Sequence, residues 1–365
     1  MTFVLAWKHA KHVYLCADSA VTYPSLPPDS DLTTAFGENS GDSTNSLVDE
    51  RAMKLVNLGQ AIVGLCGDYS IARRVLLALR DELIHQPPKE AFSAALRDYE
   101  PQDDLRKIKL VIAWPQGTEA VACGYNADGG GRIEDLESDH AFRLSGTSMH
   151  RELTIEAIAK VTKSAATPAQ QLACILSLLQ SYGVNRNYLQ EGIGGAYCGA
   201  VVTPSEIKWQ GDIMYIITQP GQYLTHAITT RIRDNVLTVQ TTIGSRTKVM
   251  AELLSSGPLD DWLSEHKFEI EGVMSDYSFD FVSFLTAGYP ICTVVEMNGA
   301  EKSADLRMPK VVAVLGSDEL QMELEMSARV REATVQPSIA EDSGTVRPKL
   351  TFFEFAPHQC EMTVR

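Results

Sequence analysis

The sequence predicts an α+β fold: a four-layer αββα sandwich, two packed antiparallel sheets with a helix pair on each outer face, followed by a β-rich C-terminal extension. Two observations predict it. Strand-like runs come in hairpin-spaced pairs, and helix-like runs come two at a time, so the first ~217 residues run as strands, helix pair, strands, helix pair, strands. A parallel βαβ sheet would need single helices between its strands. Paired helices instead suit helical layers laid over antiparallel sheets.

At 365 residues and 44% hydrophobic the chain can bury a large core, and its length suits two domains or one with a substantial appendage. The division is 1–217, a core carrying a long loop insertion at 23–50, and 218–365, an extension of unassigned role. No apolar run reaches the ~18 residues that span a membrane. No basic segment followed by an apolar stretch marks a secretory signal. The expectation is a cytoplasmic protein without a membrane partner. A formal charge of −15 opposes a nucleic-acid surface, which needs clustered Lys and Arg. Cys16, Cys66, Cys123, Cys174, Cys198, Cys292 and Cys360 are scattered, odd in number and mostly in apolar context. They read as reduced core thiols, not a disulfide framework. No Cys or His pair has zinc spacing; His9 and His12 flank a hairpin turn. No metal and no organic cofactor is expected.

In order, residues 3–8 and 13–17 are β-rich runs joined by the polar Lys8–His12, a connection of hairpin length. The stretch 23–50 carries Pro24, Pro27, Pro28, Gly37 and Gly41 among many polar residues, and reads as a loop. Met53–Asn57 and Ala61–Cys66 form a second hairpin. From Tyr69 to His85, Ile71, Val75, Leu76, Leu79 and Leu83 recur at helical spacing, and Pro87-Pro88 ends the run. Lys89–Tyr99 reads as the next helix. Residues 108–114, 118–125, 132–136 and 140–145 read as strands, then 148–163 and 167–182 as helices. After Gly192-Ile193-Gly194-Gly195 the chain returns to strand at 196–203, 206–209 and 212–217. In the extension, two strands flank Arg233-Asp234-Asn235 and Met250–Leu263 reads as a helix. Residues 279–297 and 310–315 read as strands, Glu319–Glu325 as a solvated face, and 332–349 as a polar stretch before the apolar Leu350–Phe355.

The chemistry concentrates in the first part. Thr2 follows Met1, and a small side chain there favours removal of the methionine. Thr2 would then carry a hydroxyl beside a free α-amine, which titrates at roughly 7.7–8.0 and serves as a built-in base. Leu15-Cys16-Ala17-Asp18-Ser19, Met53-Lys54-Leu55-Val56, Gly64-Leu65-Cys66-Gly67-Asp68, Cys123-Gly124-Tyr125-Asn126 and Leu144-Ser145-Gly146-Thr147-Ser148 follow in order. With Thr2, these segments resemble a proteasome β-type subunit of the N-terminal-nucleophile (Ntn) hydrolase superfamily, over residues 2 to about 217. The spacing of Asp18 from Thr2 is the family's own.

The resemblance implies a threonine-type peptidase or amidase. Thr2 Oγ attacks a carbonyl, its amine takes the proton, and an acyl-enzyme ester is then hydrolysed. Lys54 places a cation beside Thr2, and Asp18 supplies its counter-charge. The Gly67 N–H, where a strand turns into a helix, is the oxyanion donor. Thr147 falls on the family's serine if the glycines are aligned, and that serine is lost if they are not. Val21, Leu65 and Tyr69 fall on the pocket positions, suggesting an apolar substrate residue. Each position has an ordinary reading too: Asp18 as a turn or cap residue, Lys54 as an exposed strand residue, Gly67 as a plain helix-start glycine.

Two departures stand out. Some twenty residues more than the family pattern separate Asp18 from Lys54. The family aspartate ahead of the Gly-Gly pair has no counterpart, with Gln190 and Glu191 nearest. The implied partners are a peptide or protein substrate, copies of the chain in a ring-type homo-oligomer, and an ATPase or adaptor. The alternatives are a non-catalytic proteasome-fold scaffold and a small-molecule amidase.

Overall fold

A computed structural model of the chain describes residues 3–23, 33–38, 47–126, 131–136, 142–146, 158, 167–186, 188–218, 226–243, 246–251, 254, 279–287, 289–296, 310–315, 323–329, 332–338, 353–355 and 362–364. Strands β1 (Phe3–His9) and β2 (His12–Asp18) form a hairpin turned at Ala10-Lys11, with Ala10 at φ 52°. β1 also pairs with β10 (Phe142–Gly146). β2 pairs with β11 (Tyr197–Val202), which in turn pairs with β12 (Ile207–Trp209). All of these pairs are antiparallel. A second antiparallel sheet runs in simple succession: β5 (Leu55–Asn57), β6 (Ile62–Gly67), β7 (Ile108–Gln116), β8 (Glu119–Asn126) and β9 (Arg132–Asp135).

The two sheets pack face to face. They approach closely at Gly64, where a Cβ would stand 2.7 Å from Val4 Cγ1; a side chain there would wedge the layers apart. Alternation along β6 sends Ile62 and Cys66 into the core between the sheets, and Val63 and Leu65 to the opposite face. On that face lie α1 (Tyr69–Glu82) and α2 (Pro88–Arg97). Asp68 caps α1, accepting from the N–H groups of Ser70 and Ile71 at 2.9 and 3.1 Å. Pro88, expected only to end one helix, occupies the first turn of the next, where its missing N–H costs nothing. Ile71, Val75, Leu76 and Leu79 of α1 meet Phe92 and Leu96 of α2 over Leu65, Leu110 and Ile112.

On the far side of the first sheet lies α3 (Pro168–Arg186), packed on β2 and β11. Every residue from Gln170 to Ser181 is buried. A helix buried all round needs a cover on both sides, and the second cover is a sheet of seven strands. These are β13 (Ile213–Thr218), β14 (His226–Arg233), β15 (Val236–Thr241), β16 (Arg246–Ala251), β17 (Phe281–Thr286), β18 (Tyr289–Glu296) and β19 (Lys310–Leu315). Their order is β16-β15-β14-β13-β17-β18-β19. Only the central pair, β13 with β17, is parallel. The described layers are therefore helices, sheet, sheet, helix and sheet, one more than the sandwich expected. Strand 213–218 is the middle of the outermost sheet. Phe281, Leu285, Cys292 and Val294 share a core cluster with Phe3, Leu172 and Leu176.

Three expectations are corrected. The helix from Met250 gives way to strand β16, because Met250 is buried opposite Leu237; of the remainder to Leu263, only Ala251 and Leu254 are among the described residues. The 23–50 loop is closed at its base by a ribbon of β3 (Ala20–Tyr23) and β4 (Leu47–Glu50), and its residues 33–38 pack inward, with Ala35 and Phe36 in the main core. The C-terminal stretch holds a four-stranded sheet of β20 (Glu323–Arg329), β21 (Glu332–Ser338), β22 (Phe353–Phe355) and β23 (Met362–Val364). Alternation of Leu324, Met326 and Ala328 with polar neighbours carries that signal. The helix expected at 148–163 lies outside the described residues except for Ile158.

Candidate active site

Asp18 ends β2 and Lys54 directly precedes β5, so the packing of one sheet on the other brings them together. Lys54 Nζ lies 2.5 Å from Asp18 Oδ1, with side chains 2% and 0% exposed. The sequence expectation that an inward lysine takes Asp18 as counter-charge matches this geometry. Taking both charges out of water is costly, and further hydrogen bonds are needed to offset it. Asp18 has two: the Phe3 N–H donates to Oδ1 at 2.9 Å, and the Gly194 N–H to Oδ2 at 3.1 Å. One carboxylate thus ties the start of β1, the approach to β5 and the turn before β11.

That turn is itself held by carboxylates. Gly192, Gly194 and Gly195 have φ of 73°, 152° and 72°, values that L side chains rarely adopt. The next two N–H groups go to two further acids: Gly195 donates to Glu38 Oε2 at 2.7 Å and Ala196 to Glu50 Oε1 at 2.6 Å. Glu50 also accepts from Ser19 Oγ at 3.2 Å and from the Ala35 N–H at 2.7 Å. Lys248 Nζ stands 3.4 Å from Glu50 Oε2 and donates to the Thr33 carbonyl at 3.1 Å. Glu38 accepts from Thr34 Oγ1 at 2.9 Å. Burial pushes the Glu38 carboxyl up to about 8, the Gly195 and Thr34 donors pulling it back and the Glu50 and Asp18 charges adding to the rise.

Sequence reasoning missed both of these acids as site residues. Glu50 and Glu38 both fall in the polar 23–50 stretch that reads as a loop. The available signal was the glycine run 192–195, whose backbone presents N–H groups in need of anions, but nothing in it says which acids arrive.

The other expected positions are distributed as follows. Gly67 ends β6 at φ 99°, and a Cβ there would stand 2.0 Å from the Lys107 carbonyl oxygen, so glycine is required. Tyr69, half-buried at the start of α1, donates its hydroxyl to the Met53 carbonyl at 3.4 Å, next to Lys54. Val21 is half-buried on β3 opposite Asp49. Leu65 is 1% exposed, with its side chain facing the helices and its N–H donating to the Lys54 carbonyl at 3.1 Å. Thr2 and Thr147 lie outside the described residues; their neighbours Phe3 and Gly146 pair across β1 and β10. The thiols of Cys66 and Cys198 are pushed up to about 12, mainly by burial, and hold no thiolate near neutral pH. His9 and His12 pair across the first hairpin, His9 stacked on Trp7. Among the described residues, no group of three or more His, Cys, Asp and Glu side chains is arranged to hold a metal ion.

No protein-family profile matches the chain, and no curated protein matches it either. Solved structures similar to it include eukaryotic HslV from Trypanosoma brucei, 11% identical, covering 55% of this chain and 99% of that one at a TM-score of 0.38. Another is a Gly-1 mutant of Anbu from Hyphomicrobium sp. strain MC1, 10% identical, covering 76% of this chain and 97% of that one, also at a TM-score of 0.38.

Proposed function

We propose that the chain is a proteasome-like threonine peptidase or amidase of the Ntn hydrolase type, with Thr2 as nucleophile once Met1 is removed. The observation that carries this reading is the threefold grip on Asp18. The Phe3 nitrogen, the atom bonded to residue 2, donates to the same carboxylate oxygen that holds the buried Lys54 ammonium. A fixed cation at the start of the chain favours the unprotonated form of an amine there, and stabilises negative charge developing on an attacked carbonyl. Buried charges act more strongly than solvated ones.

In this reading the Thr2 amine accepts the hydroxyl proton while Oγ attacks. The Gly67 N–H at the head of α1 steadies the oxyanion, and Thr147 beside Gly146 orients the amine. Val21 and Tyr69 border the pocket for an apolar substrate residue, and Leu65 supports it from beneath α1. The substrate is a peptide or protein amide, and no organic cofactor is needed. A ring-type homo-oligomer, an ATPase or adaptor partner and a cytoplasmic location belong to the same proposal.

The test is the intact mass of the purified protein before and after a β-lactone electrophile. Loss of Met1 with one covalent adduct, absent in Thr2→Ala, supports the reading. A retained Met1 with no adduct overturns it in favour of a non-catalytic scaffold.

A further inference from the structure

Three successive N–H groups, Gly194, Gly195 and Ala196, each donate to a different buried carboxylate: Asp18, Glu38 and Glu50. Two of these acids have lysine partners, Asp18 with Lys54 and Glu50 with Lys248. The third, Glu38, is only 5% exposed and has no ion pair among the described residues; its Oε1 is buried with no hydrogen-bond partner there. The backbone around it leaves room for that group. A Cβ at Gly194 would stand 2.9 Å from Glu38 Oε1, and one at Gly183 on α3 would stand 3.2 Å from it.

Glu38 is brought in by residues 33–38, which act as a strap. The Phe36 ring meets Tyr215 of β13 edge-on, centroids 5.3 Å apart. Thr33 is held by Lys248 of β16. Gly37 approaches Ile243, so that a Cβ would lie 3.3 Å from its Cδ1. The strap is therefore anchored on the seven-stranded sheet and delivers its acid to the turn that grips Asp18.

We propose that Glu38 is a positioning residue of the candidate site, fixing the Gly194–Ala196 turn and, through Gly194, the carboxylate of Asp18. The seven-stranded sheet thereby has a part in the chemistry without touching a substrate. The assignment rests on the reading of Asp18 and Lys54 as part of a reacting centre.

The mechanism of positioning is that of a neutral acid. Protonated, Glu38 still accepts from Gly195 and Thr34 on Oε2, and adds no third negative charge beside Asp18 and Glu50. Ionised, it faces Asp18 on β2 and Glu50 on β4, both acids, and Tyr197 on β11, while Lys54 and Lys248 are already engaged. Burial above all, and the like charges of Asp18 and Glu50 after it, disfavour that state, and a carboxylate drawn out towards water gives up its hold on the turn.

The experiment compares the parent with Glu38→Ala and Glu38→Gln. It follows amide hydrogen exchange in the peptide covering 188–200 and the β-lactone labelling rate from pH 6 to 9. Glu38→Ala is expected to exchange faster and label more slowly, each by about tenfold at pH 7, as a lost buried acceptor implies. Glu38→Gln, which keeps an acceptor and stays neutral, is expected within about threefold of the parent and lacks the parent's loss of protection and labelling near pH 8. An Ala variant indistinguishable from the parent overturns the proposal, as does a Gln variant no better than Ala. If Glu38→Ala does not fold, parent and Glu38→Gln exchange profiles that coincide up to pH 9 overturn it, and profiles that diverge near pH 8 support it. A parent that takes no label counts against the hydrolase reading alone, because the exchange comparison decides the positioning role without turnover.

Discussion

Glu50 and Lys248 stand 3.4 Å apart, Glu50 with a fully buried side chain and Lys248 13% exposed. One ends the ribbon at the base of the long loop and the other lies in the outermost sheet, so the pair joins segments almost two hundred residues apart. Glu50 meanwhile holds Ala196 and Ala35 by their N–H groups. Lys248→Met keeps much of the apolar stem but leaves that carboxylate without its cation. The expected loss is about 3–5 kcal/mol, read as a drop in the urea midpoint at unchanged slope.

Lys54 and Asp18 give the sharper contrast. Lys54→Met strands a buried carboxylate and Asp18→Asn strands a buried ammonium, each expected to cost about 3–5 kcal/mol. The double variant, with no charge left to compensate, should recover part of the sum. Strict additivity in chemical denaturation would mean that the two charges do not interact.

Glycine replacements separate strain from collision. Gly67→Ala meets both a positive φ and the Lys107 carbonyl oxygen, and is expected to prevent folding or to cost more than ~3 kcal/mol. Gly117→Ala also meets a positive φ, 64°, but nothing within 4 Å, and should cost about 1 kcal/mol. Equal losses by thermal denaturation would refute the collision argument.

The pH dependence of stability follows from Glu38. Its carboxyl is raised from 4.5 to about 8 by burial, so the folded state keeps a proton that the unfolded chain gives up near ~4.3. The stability this contributes is complete below the unfolded value and is lost as pH rises towards 8. Glu38→Gln has no such proton. The melting temperature of the parent relative to that variant should therefore fall steadily between pH 5 and 8, then level off.

The six described cysteines, Cys16, Cys66, Cys123, Cys174, Cys198 and Cys292, are buried, and no two of them form a disulfide. Burial raises the thiols of Cys16, Cys66, Cys174, Cys198 and Cys292. None of the six should take up a thiol reagent in the native protein at pH 7.5, and all six should do so in denaturant, as peptide mapping will show.

Much of the fold was legible because hairpins and amphipathic helices write their period into adjacent residues. Ile71, Val75, Leu76 and Leu79 announced α1, and the Gly-rich turn before β11 stood in plain view. Lys54 and Asp18 were legible as a pair because an inward lysine demands an anion. The covering of α3 was less so. Leu172, Ile175, Leu176 and Leu179 sit among Ala173, Cys174 and Leu178, with no charged residue before Arg186, and this implies burial on both sides without naming the cover. Glu38 was illegible for a different reason. Its burial depends on Gly183, Gly194 and Phe36–Tyr215 packing, contacts between segments distant in the chain, and its neighbours Gly37 and Asn39 look like any polar loop.

The parallel pairing of β13 with β17 has a consequence for synthesis. The sheet that covers α3 cannot be completed until residue 315 has left the ribosome, because β17, β18 and β19 press on the helix from the far side. Until then a helix with no charged residue before Arg186 stands half covered, an adhesive surface of the kind that chaperones hold. Nascent chains halted near residue 220 should bind such a holdase, and completed chains released from the ribosome should not.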